Sequence, residues 1–353
     1  MDELYYEAID LLKQLITIPS PSREEKDAAN LIERHLQSKG LSPERNGNNV
    51  WCLSSDFEPG RTTLLLNSHT DTVRPTKEWT HNPFAAEEDN QGRIYGLGSN
   101  DAGASLVSLM AAFLWLDSRP QTYNLVFLAS AEEEVSGKKG IEAVLPLLPS
   151  IDMAIVGEPT GMNPAVAEKG LMVLDGEISG KAGHAARDEG ENAIYKALPV
   201  VETLRNLTFP RVSRHLGPIK ISVTQINAGT QHNVIPDRCK IVVDVRTTDA
   251  YTNEDTLRMI QNAVPDCRLQ PRSTRLRPSS IDESHPIVRR LKMAGRCPFG
   301  SPTLSDQALM PWPSLKIGPG DSARSHTADE YIYNDEIREA IQIYVSTLDG
   351  LHI

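Results

Sequence analysis

Three runs in the first half of the chain are apolar at almost every position: Leu64-Leu65-Leu66, Leu125-Val126-Phe127-Leu128 and Met153-Ala154-Ile155-Val156. Such runs read as strands buried on both faces. Helical patterns such as Ala104 to Leu116 fall between them, which predicts a parallel sheet fed by crossover helices. Upstream, Ile9, Leu12 and Ile16 recur at helical spacing and must stop before Pro19. Ser22 with Glu25 three positions later predicts a capping box, opening an amphipathic helix through Leu31, Ile32 and Leu36 that stops at Gly40. Between the two helices, Pro19-Ser20-Pro21-Ser22 makes a stiff turn.

After Glu158 the period changes to two. Leu171 to Ile178, Lys220 to Gln225 and Lys240 to Arg246 alternate like half-solvated antiparallel strands, with helical patterns at Asn192 to Leu207 and from a cap-like Asn253 through Leu257, Ile260 and Val264. Strand, helix, strand, strand, helix, strand is the order of a ferredoxin-like unit, here inserted at residues 166–276. Beyond it the first texture resumes: Ile287 to Met293 helical, Ser314 to Ile317 a strand, and Asn334 capping a last helix that presents Ile337, Ile341, Val345 and Leu348. The expected architecture is α/β: a mostly parallel central sheet with helices on both faces, formed by residues 1–165 and 277–353, plus the inserted α+β domain.

Composition narrows the function classes. At 353 residues the chain exceeds one typical core, which favours about two domains. Lys plus Arg number 36 against 47 Asp plus Glu, a formal charge of -11 that repels phosphate backbones, so no nucleic-acid partner is expected. The longest apolar stretch, Leu106 to Leu116, falls short of the roughly 20 residues a membrane span needs, and Met1-Asp2-Glu3-Leu4 lacks a secretory basic region. A cytoplasmic location away from membranes is the expectation. Cys52, Cys239, Cys267 and Cys297 are scattered without a Cys-x-x-Cys, which predicts buried thiols rather than a thiolate metal site or disulfides.

The apolar runs end in metal-ligand chemistry: Asn67-Ser68-His69-Thr70-Asp71 after the first, Glu132-Glu133-Glu134 after the second, and Gly157-Glu158-Pro159 after the third. Parallel strands bind ligands beyond their carboxyl ends, so these groups are expected to converge. Alone, His69-x-Asp71 is equally well a strand-end histidine bonded to a loop. The glutamate triplet has a bland reading too, as a solvated acidic turn, but three like charges held at the edge of a buried run call for a compensating cation. Gly96-Leu97-Gly98-Ser99-Asn100-Asp101 delivers one carboxylate ahead of a helix. His326 follows the glycine-rich Gly318-Pro319-Gly320-Asp321 and precedes Thr327-Ala328-Asp329-Glu330.

In that order, Ser68 to Val73, Gly98 to Asp101, Glu132 to Glu134, Gly157 to Thr160, and Gly318 to Gly320 with His326 resemble the motifs of a zinc hydrolase family. It is the family of acetylornithine deacetylase, succinyl-diaminopimelate desuccinylase, aminoacylase and glutamate-releasing carboxypeptidases. The resemblance extends over most of the chain, including Trp79 to Phe84 and the inserted domain. It implies two Zn2+ ions, replaceable by Co2+, with Asp101 bridging them. His69 and Glu158 would complete one site, and Glu134 with His326 the other. Asp71 would orient His69, and Glu133 would be the general base, although base and ligand within the triplet could be exchanged. His184, Asn233 and Arg246 match substrate-gripping positions of the inserted domain, through which dimeric members pair; for Arg246 the alternative is a cross-strand ion pair, but a guanidinium fork suits a substrate carboxylate.

Some positions depart from the pattern. Gly96-Leu97-Gly98 stands where relatives carry Gly-Arg-Gly, and Ala102-Gly103-Ala104-Ser105 where they carry Met-Lys-Gly-Gly. The triplet followed by Val135-Ser136-Gly137-Lys138-Lys139-Gly140 looks more like the lysine and ornithine deacylase branch. The activity this implies is release of an acetyl or succinyl group from the α-nitrogen of a small amino acid in arginine synthesis. Acetylornithine leads, with N-succinylornithine, the N-acylcitrullines, acyl-lysine and succinyl-diaminopimelate open. Two rivals stand: a di- or tripeptidase or carboxypeptidase on the same scaffold, and a non-catalytic pairing protein with a lapsed metal site. Retention of His69, Asp101, Glu133, Glu134, Glu158 and His326 speaks against the second, because clustered carboxylates are costly to keep.

Overall fold

The computed structural model describes residues 1–187 and 189–353. Its chain divides into two compact units: Met1–Val166 with Ser280–Phe299 and Ser305–Ile353, and Ala167–Ser279 with Gly300–Leu304. The fold is mixed α/β.

The first unit is built on a sheet whose four central strands, Asn124–Ser130, Thr63–His69, Met153–Val156 and Ser314–Lys316, lie side by side and run parallel. Antiparallel neighbours extend it, Asn49–Leu53 on one side and Ala165–Glu168 on the other. The apolar runs bury both faces, as period-two geometry requires. Leu64, Leu66, Phe127 and Ile155 join one core with the helices Asp2–Ile16, Ala104–Asp117 and Asn334–Leu348. Leu65, Val126, Leu128 and Val156 join a second core with Ile141, Val144 and Met310. Gly157 lets the sheet approach helix Ala104–Asp117, because a Cβ there would lie 2.7 Å from Leu109 Cδ1.

The second unit is a four-stranded antiparallel sheet, ordered Lys220–Ala228, Arg238–Thr247, Gly170–Ser179, Cys267–Pro271. Helices Ala193–Asn206 and Asn253–Ala263 fall between strands in the order of a ferredoxin-like fold. Leu174, Ile178, Ile241 and Val243 pack with Ala197, Val200 and Ile260 on its one buried face.

Four local expectations are corrected. Helix Lys26–Ser38 has no capping box: Ser22 Oγ donates to Asp71 Oδ2 at 2.7 Å, and the buried Glu25 carboxylate accepts the N–H groups of Arg23 and Glu132. Thr252, not Asn253, caps Asn253–Ala263, accepting from Asp255 N, while Asn253 is buried and donates to the carbonyls of Thr274 and Leu276. Asn334 does not cap the last helix; Glu336 reaches back to Tyr333 N at 3.0 Å, and Asn334 donates to Glu88. Cys52, Cys239 and Cys267 are buried, but Cys297, in the turn after helix Pro286–Met293, is exposed.

Candidate metal centre

Sheet register sets the first half of the site. Parallel pairing puts His69 opposite Ser130 and Asn67 opposite Val156, so three strands end at one level. Two residues past the Asn67–Val156 pair come His69 itself and Glu158. The fully buried His69 ring has Nδ1 2.8 Å from the carbonyl oxygen of Asp71, which can only accept, so Nδ1 carries a proton and Nε2 is the nitrogen that faces the carboxylates. Nε2 lies 3.2 Å from Asp101 Oδ1 and 3.7 Å from Glu158 Oε1.

Loops set the second half. The strand Asn124–Ser130 exits through Glu132, held at φ 55, into a short 3₁₀ turn Glu133–Val135. The Asp71 carboxylate accepts Glu133 N at 3.0 Å and Glu134 N at 3.1 Å. This refines the expected role of Asp71: its carbonyl orients His69, its carboxylate lies 3.6 Å from Nδ1, and that carboxylate chiefly anchors the glutamate turn. His326 Nε2 sits 2.9 Å from Glu134 Oε2 and 3.6 Å from Asp101 Oδ2. Asp101 thus stands between the two histidines.

The electrostatics show surplus negative charge. Burial opposes protonation of His69, yet the bond to Asp101 and the charges of Glu133, Glu158 and Asp71 raise its pKa well above the imidazole value. Burial, with Glu158, Asp306 and Glu134 adding, also pushes Glu133 well above the carboxylate range. The bond to Glu134 lifts His326 to about 9. Groups that hold protons this strongly are groups a cation stabilises. The donor set fits one: His69, Asp101 and Glu134 offer ligand atoms within 4.8 Å of one another, as do His69, Glu133 and Glu158. Imidazole nitrogen with carboxylate oxygen suits zinc and its neighbours.

The remaining expected residues lie in the second unit. His184 and Asn233 are neighbours at the short pairing Gly183–His184 with Val234–Ile235, where Ala185 N donates to Asn233 O; both are exposed. Arg246 forms a two-pronged ion pair with Asp244 two residues away on its own strand, 2.9 and 3.2 Å, rather than a cross-strand pair.

Two buried acids were not singled out by the sequence reading. Glu330 accepts from the N–H groups of Gly98, Asn100 and Asp101, and burial lifts it to about 8. Asp306 accepts from Ser130 Oγ at 2.6 Å, and burial lifts it to about 7. Glu330 had a signal, a carboxylate directly ahead of the strand Tyr331–Tyr333. Asp306, in Leu304-Ser305-Asp306-Gln307, had none.

Comparison with known proteins places the chain in a family. The model of peptidase family M20/M25/M40 matches residues 65–350. Acetylornithine deacetylase of Proteus mirabilis is 29% identical over 362 residues, covering 92% of this chain and 91% of that one. Succinyl-diaminopimelate desuccinylase of Paracoccus denitrificans is 33% identical over 217 residues, 57% and 56% of the two chains. Among solved structures, aminopeptidase PepT of Bacillus cereus superposes with a TM-score of 0.79 at 17% identity over 98% of both chains. A dinuclear metal-binding peptidase of Bacillus subtilis gives 0.75 at 17% over 99% and 98%.

Proposed function

The chain belongs to peptidase family M20/M25/M40, as a metal-dependent hydrolase of amide bonds, and from that premise we propose that it is a di-zinc deacylase of small N-acyl amino acids. The observation that carries the reading is the meeting of His69 and Glu158 from the sheet edge with Asp101, Glu134 and His326 from the loops. His69 and Glu158 would hold one cation, Glu134 and His326 the other, with Asp101 between. Bound there, two divalent ions acidify water and polarise an amide carbonyl. Glu133 takes the proton of the attacking water and delivers it to the leaving amine nitrogen. Asp71 keeps the base in place through the backbone of Glu133 and Glu134.

The substrate we assign is N-acetylornithine or a close acyl analogue in arginine synthesis, supported by the full-length similarity to acetylornithine deacetylase. His184, Asn233 and Arg246 are the substrate-contact candidates of the second unit. That unit supports pairing with a second copy: strand Lys220–Ala228 is a sheet edge with Ile226 exposed, and helix Ala193–Asn206 exposes Tyr195 and Leu198. Light scattering should give twice the chain mass. A cytoplasmic location goes with the small metabolite; among the described residues no helix is long and apolar enough to cross a membrane.

The test is a release assay on acetylated and succinylated ornithine, citrulline, lysine and diaminopimelate beside unblocked di- and tripeptides, with and without chelator. Deacylation lost on chelation and restored by Zn2+ or Co2+ is expected. Full activity in metal-free protein sinks the mechanism, and turnover of the unblocked peptides alone sinks the substrate class.

A further inference from the structure

Two loops meet at the exposed half of the centre, and one side chain joins them. Glu330, 2% exposed, accepts Asn100 N at 2.8 Å and Asp101 N at 2.9 Å on one carboxylate oxygen, and Gly98 N at 3.1 Å on the other. Its own carbonyl accepts Gly96 N at 3.0 Å. A second tie runs parallel: Asn100 Nδ2 donates to Asp321 O and Ser325 Oγ, and Asn100 Oδ1 accepts Asp321 N. The segment around His326 is pinned further on, where Asp329 accepts from Thr80 N, Thr80 Oγ1 and His81 N. Gly98 itself is held at φ 76, and a Cβ there would lie 2.6 Å from Thr72 Cγ2, so the loop passes through a narrow gap before reaching Asp101.

We propose that Glu330 is a positioning residue of the metal centre, fixing Asp101 against His326 and so setting the affinity of the Glu134/His326 cation site more than that of the His69/Glu158 site. The inference rests on the two-cation reading above. His69 and Glu158 follow directly from paired strands and keep their places through the sheet. Asp101 and His326 sit on opposed loops, and their separation depends on whatever spans them. Glu330 does so with a group no other residue type of its size supplies. Three converging N–H donors need two acceptor oxygens, and a glutamine offers one oxygen and an NH2 that faces a donor. Loss of such outlying support around a metal site lowers metal affinity by about 10- to 100-fold.

The experiment is calorimetric titration of metal-stripped protein with Zn2+, repeated with Co2+ while following its visible absorption. Wild type is expected to take up two equivalents. Glu330→Gln should keep the tighter equivalent within about threefold and weaken the other by about 10- to 100-fold, the range for lost support. Glu330→Asp, which keeps both oxygens on a shorter stem, should fall between and serves if the glutamine variant does not fold. A merely structural role would lower the melting temperature and move both affinities together, or neither. Two equivalents bound with unchanged affinities in a folded variant overturn the assignment of Glu330 alone. A single equivalent in wild type overturns the two-cation reading, and the inference with it.

Discussion

The two halves of the metal centre are made differently. His69 is the last paired residue of its strand and Glu158 stands two residues past the last paired position of the adjacent parallel strand, with side chains 1% and 12% exposed. His326 projects from a loop at φ 59 with its side chain 54% exposed, and meets Glu134 of a short 3₁₀ turn. A sheet register is a cooperative object, shared by every hydrogen bond along the strands, whereas a loop is as fixed as its few local ties. The same ligand chemistry is therefore rigid on one side and adjustable on the other.

The sharpest test concerns Glu133, which groups by distance with His69 and Glu158 although it sits on the loop that carries Glu134. Glu133→Gln should cut kcat by about 10²- to 10⁴-fold, the usual contribution of a general base, while both cations remain on metal analysis. Should a cation leave instead, Glu133 is a ligand of the rigid half and the base is its neighbour. Next in size is the order of metal loss. In a graded chelator titration the first equivalent to leave should be the one that His326→Ala also removes, and the one that persists should need His69. Simultaneous loss would erase the distinction between the halves.

The fold itself should answer to the strands. Leu65→Ala empties a fully buried position on one face of the central sheet and should cost about 2 to 5 kcal/mol in denaturant melts. Thr80→Ala, which removes one hydroxyl bond to Asp329 beside the loops, should cost about 1 kcal/mol. Equal costs would mean that the loops carry as much of the global stability as the sheet.

How much of this was legible in the sequence follows the same division. His69, Glu158 and the glutamate triplet could be read because an apolar run predicts a strand, and a parallel sheet predicts where strands end. Asp101 and His326 had no such frame: each stood out only beside a glycine-rich loop, and its ligand role came from motif resemblance. What neither route reached are the ties that cross between elements. Ser22 and Glu25 have the spacing of a helix cap, yet Ser22 is drawn to Asp71 and Glu25 to the backbone of Glu132, because buried donors at the site outcompete a local turn. Glu330 and Asp306 act on residues more than 150 positions away, a distance at which no spacing rule operates.

Asp306 offers the finest probe of the rigid half, because it lies beneath a strand end without being an expected ligand. Its carboxyl is fully buried, bonded to Ser130 Oγ, and held at about 7 against about 3.9 in an unfolded chain. A raised carboxyl favours the protonated folded state. The stability it contributes is complete below about pH 3.9 and is lost as pH rises to about 7, above which nothing further changes. Asparagine resembles the protonated acid at every pH. In metal-free protein, Asp306→Asn should therefore gain melting temperature relative to wild type progressively from pH 4 to 7 and hold that gain at pH 8. Parallel melting curves across that range would show that Asp306 is solvated or paired in a way its burial denies, and the strand-end half would then be less closed than the loop half it is contrasted with.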